Sequence, residues 1–176
     1  MDLFSKEVDS EWLPPTTFPD LSGHDKVAID LETCDRDLME RGPGWPTKNG
    51  HVIGIAVSGN GFTGYYPINH ESGNMDEKKV VKYIKSICED GSIEKVFHNS
   101  QYDIGWLGTL GINVKGRIHD TLVAMALIDE NRFSYGLDSC VKDKLGQRKD
   151  ESKLREAATA FGIDPKSEMY KLPSQF

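Results

Sequence analysis

Two acidic residues, Asp30 and Glu32, are the residues of this chain best suited to chemistry. They lie in the apolar segment 27–33, which predicts a buried strand, and strand side chains alternate between faces. Both carboxylates would therefore project from the same side, about 7 Å apart. Burying two such groups without a partner raises their pKa values or costs several kcal/mol, and a hard divalent cation bound through oxygen offsets that cost. The two acids are therefore predicted to form half of a metal site.

A third acid, Asp103, follows a predicted short strand, 95–98, in the run Asn99-Ser100-Gln101-Tyr102-Asp103. If Asn99 caps a helix, Asp103 lies about one turn inside it, near the carboxyl end of a sheet strand, where sites in α/β folds gather. Acids in first turns are common because they suit the helix dipole. Together with the Asp-x-Glu strand, however, Asp103 is predicted to face Asp30 and Glu32.

The remaining pattern predicts strands first, then alternating strand and helix. Strands 51–58 and 62–68, joined by the turn Gly59-Asn60-Gly61, would give three antiparallel strands with 27–33. A crossover helix at about 76–88 should bring strand 95–98 in parallel to its neighbour. Further helices are predicted from Asn99 or Ser100 to about Leu110, from a cap at Asp120 to Leu127, and over 137–145 and 151–161.

The domain organisation is simple. Residues 1–25 contain three prolines and are expected to form an extended arm with little function, whereas 26–176 would form one domain. The Gly42-Pro43-Gly44-Trp45-Pro46 cluster predicts an irregular loop over 36–49.

The composition narrows the function classes. A net charge of −7, from 21 basic and 28 acidic residues, counts against an extended duplex-binding surface but allows an enzyme that grips a few nucleotides. Three cysteines without a CxxC pair favour reduced thiols. The longest apolar run, 122–128, is too short to span a bilayer, and the N-terminus lacks a secretory signal. A cytoplasmic protein without membrane contact is expected.

Asp30-Leu31-Glu32-Thr33 resembles the first motif, and Asn99 through Asp103 the second, of the DEDD (DnaQ-like) proofreading exonucleases. The resemblance is strongest for the exonuclease domain of bacteriophage-type family A DNA polymerases. Three further stretches support it, namely Gly42-Pro43-Gly44-Trp45, Tyr65-Tyr66-Pro67-Ile68-Asn69-His70 and His119-Asp120-Thr121. It implies an α/β, ribonuclease H-like fold: a central mixed β-sheet, with three antiparallel strands plus parallel strands, flanked by α-helices.

The resemblance also implies roles for the acids. Asp30 would bridge two ions of Mg²⁺ or Mn²⁺, Glu32 would bind the ion that activates water, and Asp103 would hold the second ion through water. Carboxylates suit these hard metals, and two ions can activate a water and neutralise the leaving 3′ oxygen. The product would be a nucleoside 5′-monophosphate.

Substrate contacts follow from the same resemblance. Thr33 and the backbone around Leu31 would touch the terminal nucleotide, while Asn99 and Tyr102 would contact the strand near the scissile phosphate. Tyr102 is equally typical of a packed core aromatic and Asn99 of a plain helix cap. Trp45 could stack on a base or pack its loop. Three residues are expected to be structural: His98, His119 and Asp120.

The family's fourth acid, in a Tyr-x-x-x-Asp motif or its histidine variant, is not found, since none of the six tyrosines has an aspartate four residues later. The motif would fall just beyond Phe176. The sequence is therefore expected to be a truncated piece of a longer polymerase, and the piece to be weakly active or inactive alone.

Three functions remain open. The leading hypothesis is a proofreading 3′-5′ exonuclease acting on single-stranded DNA or a primer terminus, monomeric, attached to a polymerase domain of the same parent chain, and located in the host cytoplasm if of phage origin. The alternatives are an RNA-trimming exonuclease of the ribonuclease D kind and a non-catalytic nucleic-acid-binding module that supports a polymerase.

Overall fold

A five-stranded mixed sheet forms the centre of the structure, a computed structural model that describes residues 10–165 and 167–176. The strand order is β3-β2-β1-β4-β5. The first three strands pair antiparallel and β4 lies parallel to β1, as predicted. Strand β5 pairs in parallel with β4 and is a strand beyond those predicted. The bounds are β1 (Lys26–Cys34), β2 (His51–Gly59), β3 (Phe62–Pro67), β4 (Glu94–Phe97) and β5 (Ile118–Asp120).

The described helices lie close to their predicted positions, with one addition. The predicted irregular loop 36–49 contains a four-residue helix and a 3₁₀ turn, Trp45–Thr47, because its Gly and Pro residues limit regular structure without abolishing it. The helices are α1 (Leu38–Arg41), α2 (Glu77–Cys88), α3 (Ser100–Thr109), α4 (Thr121–Ile128), α5 (Leu137–Leu145) and α6 (Ser152–Phe161), with a second 3₁₀ turn at Met169–Lys171.

Helix α2 is the crossover that makes β4 parallel to β1. Its apolar stripe, including Val80, Ile84 and Ile87, is buried against the sheet. The Asp76 carboxylate accepts the amide of Lys79 at 3.0 Å and caps the helix.

Strand β1 is buried on one face only, which corrects the prediction of a buried strand. Val27, Ile29 and Leu31 belong to the core, whereas Ala28 and Asp30 are exposed on the other face. The alternation of strand side chains explains both sets, because the acids share the face opposite the core. That face is open among the residues that the structure describes.

A β-bulge interrupts the pairing of β1 with β2 beside the acids. Asp30 pairs with Ala56 and Glu32 with Gly54, but Thr33 pairs with Val52, so one β2 residue is skipped. Bulges increase the local twist and redirect side chains. Here the bulge brings Thr33 toward the same pocket as Glu32.

Part of the predicted N-terminal arm, residues 1–9, lies outside the described residues. Residues 10–25 contain no helix or strand, and Phe18 stacks on Tyr66 with ring centroids 5.7 Å apart. Among the described helices, none has the length and apolar character needed to cross a bilayer.

Candidate active site

Asp103 lies against β1 between the two strand acids. The side chain projects from the first turn of α3 and is 3% exposed. Its carboxylate accepts the amide of Leu31 at 3.2 Å. Strand β1 pairs with β4 only as far as Ala28, so the amide of Leu31 is available to a side chain. The structure therefore brings Asp103 to the segment that carries Asp30 and Glu32.

Burial and mutual repulsion raise the pKa values of these acids. Burial, then the charge of Asp30, raises the pKa of Glu32 to about 7, and Lys149 opposes the shift. Burial, then Asp30, likewise raises the pKa of Asp103 to about 7, opposed by the amide of Leu31. The charge of Asp30 thus raises the pKa values of both Glu32 and Asp103.

Asp30 itself is exposed at the surface, yet its surroundings still raise its pKa. Desolvation by the neighbouring protein is the main cause, and the nearby Lys149 and His98 act in the opposite direction. This is the pattern of a carboxylate in a shallow concave face with too little positive charge around it.

The donor set suits a hard divalent ion. Among residues 10–165 and 167–176, no three His, Cys, Asp or Glu side chains are grouped closely enough to enclose a metal ion. Mg²⁺ rarely needs such a cage, because it keeps several waters and is held by one or two carboxylates plus substrate phosphate oxygens. The exposed carboxylate of Asp30, with the half-buried Glu32 and the buried Asp103 beside it, therefore fits such an ion.

A pocket of about 480 Å³ opens beside Glu32. All five residues that the sequence assigned to substrate contact line it, together with Glu32; they are Leu31, Thr33, Trp45, Asn99 and Tyr102. Its volume lies within the usual range for small-molecule sites.

Hydrogen bonds join β1 to α3 inside this pocket. Tyr102 Oη lies 2.7 Å from Thr33 Oγ1 and donates to Asp35 Oδ2 at 3.1 Å. The same Asp35 oxygen accepts the amide of Gly44 at 3.1 Å, which ties the Gly/Pro loop to the site. Asp35 was not predicted to be a site residue, although it directly follows the strand that carries the acids, a position from which it could have been inferred.

Asn99 is not the side-chain cap that its sequence position suggested. It adopts a left-handed conformation, with φ 72°, and its side chain makes no capping hydrogen bond to α3. The amides of Asn99 and Ser100 donate instead to the carboxylate of Asp120, at 3.1 and 2.7 Å. Asparagine tolerates this backbone region better than most residues. The Asn99 side chain does not cap the helix, and Asn99 lines the pocket.

Trp45 packs on α3 and also lines the pocket. A Cβ added at Gly105 would lie 2.4 Å from the indole, so only glycine allows this close approach. The indole N–H is buried without a hydrogen-bond partner among the described residues. The two interpretations made from the sequence, base stacking and loop packing, are therefore compatible.

The residues expected to be structural occupy structural positions. Asp120 caps α4 by accepting the amides of Leu122 and Val123. His119 contacts Glu94 at 2.8 Å, and His98 Nδ1 lies 2.9 Å from Thr121 Oγ1 at the end of β4.

Two contributors near the acids were not assigned a role from the sequence. Lys149 precedes α6, forms an ion pair with Glu151 at 3.4 Å, and opposes the raised pKa values of Asp30 and Glu32. Tyr65 stands on β3, and Glu32 and Asp30 add to the effect of burial in raising its pKa. Lys149 is over a hundred residues away in sequence, so no local pattern could reveal it.

Comparison with known proteins agrees with this geometry. A family model described as 3′-5′ exonuclease, for DNA polymerase A, matches residues 7–171. A DNA-directed DNA polymerase of Pseudomonas phage M6 is 36% identical over 176 aligned residues, which cover 96% of this chain and 26% of the relative. The DNA polymerase DpoZ of Salmonella phage PMBT28 is 30% identical, over 82% of this chain and 21% of the relative. The chain thus spans about a quarter of the length of these relatives.

Solved structures show the same fold at low identity. Trypanosoma brucei RNase D superposes with a TM-score of 0.62 at 22% identity, covering 89% of this chain and 52% of that one. Brucella melitensis NrnC with bound Mg²⁺ gives 0.54 at 21% identity, covering 76% and 61%. These neighbours confirm the predicted ribonuclease H-like fold, and the match of nearly the whole chain to the family model decides its membership. The chain belongs to the 3′-5′ exonuclease family of DNA polymerase A.

Proposed function

We propose that this chain removes nucleotides one at a time from the 3′ end of single-stranded or frayed DNA, as the proofreading domain of a DNA polymerase. The proposal rests on one observation: the Asp103 carboxylate accepts the amide of Leu31, between Asp30 and Glu32, beside a pocket of about 480 Å³. The phage relatives of this chain are DNA polymerases, which favours DNA over RNA and a polymerase domain as the partner. The proposed working unit is a monomer.

Each acid has a separate role in the proposed reaction. Asp30, whose charge raises the pKa values of both other acids, would bridge two ions of Mg²⁺ or Mn²⁺. Glu32 would hold the ion nearer the attacking water, and Asp103 the other one through water. Bound ions of this kind lower the pKa of water and neutralise charge on the leaving oxygen.

The reaction would be a hydrolysis that needs no further reactant. The oxygen of a water bonds to phosphorus, the bond between phosphorus and the 3′ oxygen breaks, and that oxygen takes up a proton. A nucleoside 5′-monophosphate leaves, and the shortened strand ends in a 3′ hydroxyl.

The pocket would hold the terminal nucleotide. Leu31, Thr33, Trp45, Asn99 and Tyr102 all line it. Thr33 and the backbone around Leu31 would touch the terminal nucleotide, Asn99 and Tyr102 would contact the strand near the scissile phosphate, and Trp45 would stack on a base. A mismatched end frays more readily than a paired one, and a site that admits only single strands gains selectivity from that difference.

Degradation of a 5′-labelled single-stranded DNA oligonucleotide in Mg²⁺ or Mn²⁺ tests the proposal. We expect a ladder of products shortened from the 3′ end, formed slowly because the third motif is not found in this sequence. The ladder should be lost in Asp30→Asn and retained in Asp138→Asn, an exposed acid in the first turn of α5. Faster loss of an RNA oligonucleotide would favour the ribonuclease D-like alternative. Binding without cleavage by the wild type would favour the non-catalytic module.

A further inference from the structure

Tyr65 is placed on the face of the sheet that carries the acids. Tyr65 pairs with Ala56 on β2, and Ala56 pairs with Asp30 on β1. Residues directly opposite one another in antiparallel strands project to the same face. Tyr65 therefore shares the open face with Asp30 and Glu32, whereas its neighbour Tyr66 is fully buried in the core on the other face.

Small residues on β2 let the Tyr65 ring lie across the sheet toward Glu32. A Cβ built at Gly54 would lie 2.1 Å from Tyr65 Oη, so the hydroxyl occupies the space where a side chain at position 54 would stand. Gly54 is the direct partner of Glu32, and Cβ positions of such partners are about 4.5–5.5 Å apart. The hydroxyl of Tyr65 is thereby placed one strand away from the Glu32 side chain.

A buried histidine fixes the direction of the Tyr65 hydroxyl hydrogen. His70 Nε2 lies 2.6 Å from Tyr65 Oη, and His70 Nδ1 lies 3.2 Å from the carbonyl oxygen of Leu172. A carbonyl can only accept, so Nδ1 carries the ring proton, and Nε2 of the neutral ring accepts from Tyr65. Burial lowers the pKa of His70, although the Leu172 carbonyl opposes this, and the net shift favours the neutral ring.

With its hydrogen directed at His70, Tyr65 presents oxygen lone pairs to a face that already holds carboxylates. Acceptors that face one another need a donor between them. A water molecule has two O–H groups and can donate one to Tyr65 Oη and the other to the carboxylate of Glu32. We propose that Tyr65 is a catalytic residue that orients the attacking water in the hydrolysis proposed above, and that His70 is the positioning residue that holds Tyr65; this inference rests on the proposed function.

Tyr65→Phe tests the assignment because it removes one oxygen and keeps the ring. In hydrolysis of single-stranded DNA with Mg²⁺, we expect kcat to fall by about 100-fold, the lower end of the loss for a positioned proton-transfer group, with KM within twofold of wild type. The matched control is Tyr66→Phe, the same chemical change on the opposite face, which should leave kcat unchanged. Unaltered kcat in Tyr65→Phe would overturn the assignment.

The double variant separates the two roles. If His70 acts through Tyr65, His70→Asn lowers kcat in the wild type but has little further effect in Tyr65→Phe. Tm of each variant is measured alongside, since a purely structural role would lower Tm without the selective loss of kcat. Additive losses in the double variant would contradict a shared path.

A measurement without turnover distinguishes failure of this inference from failure of the proposed function. In protein labelled with ¹³C at tyrosine Cζ, Mg²⁺ should shift the Tyr65 signal and leave the Tyr66 signal in place, and Asp30→Asn should abolish the shift. If the wild type cleaves neither DNA nor RNA, the proposed function fails. The titration then shows by itself whether Tyr65 lies beside the site that binds Mg²⁺. A Tyr65 signal that does not respond to Mg²⁺ would then overturn the assignment.

Discussion

Asp103 illustrates how one buried side chain can favour function over stability. The residue is 3% exposed and lies near the charge of Asp30, and hydrogen bonds from the amides of Leu31 and of Asp103 itself compensate only in part. The folded protein therefore favours the protonated acid, and the pKa rises from an ordinary 3.8 to about 7. Ionisation of Asp103 at neutral pH thus opposes folding.

The sign of this shift gives a pH prediction. A raised carboxyl pKa adds stability that is complete below the unfolded pKa, 3.8, and is lost as pH rises through the folded value, about 7. In EDTA, the free energy of unfolding should fall by about 4 kcal/mol more between pH 4 and pH 8 in the wild type than in Asp103→Asn. Urea titrations at each pH measure it, with Asp138→Asn as the control. Identical pH profiles for wild type and Asp103→Asn would contradict the account.

Tyr102 carries a second prediction about single side chains. Its hydroxyl contacts Thr33 and Asp35 in the pocket, so Tyr102→Phe removes two hydrogen bonds that hold β1 against α3. We expect KM for single-stranded DNA to rise by about fivefold, equivalent to about 1 kcal/mol for a net hydrogen bond. Steady-state kinetics measure this. An unchanged KM would show that the hydroxyl does not shape the binding surface.

Among the secondary-structure elements, Asp120 joins two helices to the end of the sheet. It ends β5, caps α4, and accepts the amides at the start of α3, close to Asp103. Hydrogen bonds more than offset the effect of burial on this carboxyl, and its pKa is lowered. One side chain thus fixes the helix that presents Asp103.

The number of amides bound by each cap leads to a stability prediction. Asp120→Ala should lower the free energy of unfolding by about 2–3 kcal/mol, because the amides that it accepts lose their partner. Asp76→Ala, at the start of α2, removes a cap that accepts the amide of Lys79 and should lower the free energy of unfolding by about 1 kcal/mol. Chemical denaturation measures both. Equal losses in the two variants would contradict the bridging role of Asp120.

Local patterns sufficed for elements whose signals lie within a few residues. Short apolar runs predicted β1 to β3, the Gly59-Asn60-Gly61 turn predicted the hairpin of β2 and β3, and Asp76 marked the start of α2. The left-handed Asn99 escaped prediction because its amide is satisfied by Asp120, twenty-one residues later. The position of Lys149 near the acids and the approach of Tyr65 over Gly54 depend on how segments distant in sequence pack together. Local residue spacing therefore could not predict them.

In the molecule as a whole, one surface of the described chain is unusually apolar. Helix α4 reads TLVAMALI, yet only Met125 is buried, while Leu127 and Ile128 are 83% and 67% exposed. Phe133, shortly after α4, is fully exposed. Exposed apolar clusters of this kind promote self-association.

Leu127→Glu should therefore reduce non-specific association of this chain at high concentration without loss of stability. Because the side chain is 83% exposed, its replacement removes little buried area, and Tm should change by no more than about 2 °C. Light scattering over a concentration series measures the association. Met125→Glu, at the buried position of the same helix, is the contrasting variant and should lower Tm strongly. A large Tm loss in Leu127→Glu would show that the residue is covered in solution.

Calorimetric titration of Mn²⁺ into the protein at neutral pH measures whether Asp30, Glu32 and Asp103 together hold a cation. We expect a saturable binding heat in the wild type. The heat should disappear in Asp30→Asn, because the charge of Asp30 acts on both Glu32 and Asp103. The same heat in wild type and Asp30→Asn, or no heat in either, would contradict this expectation.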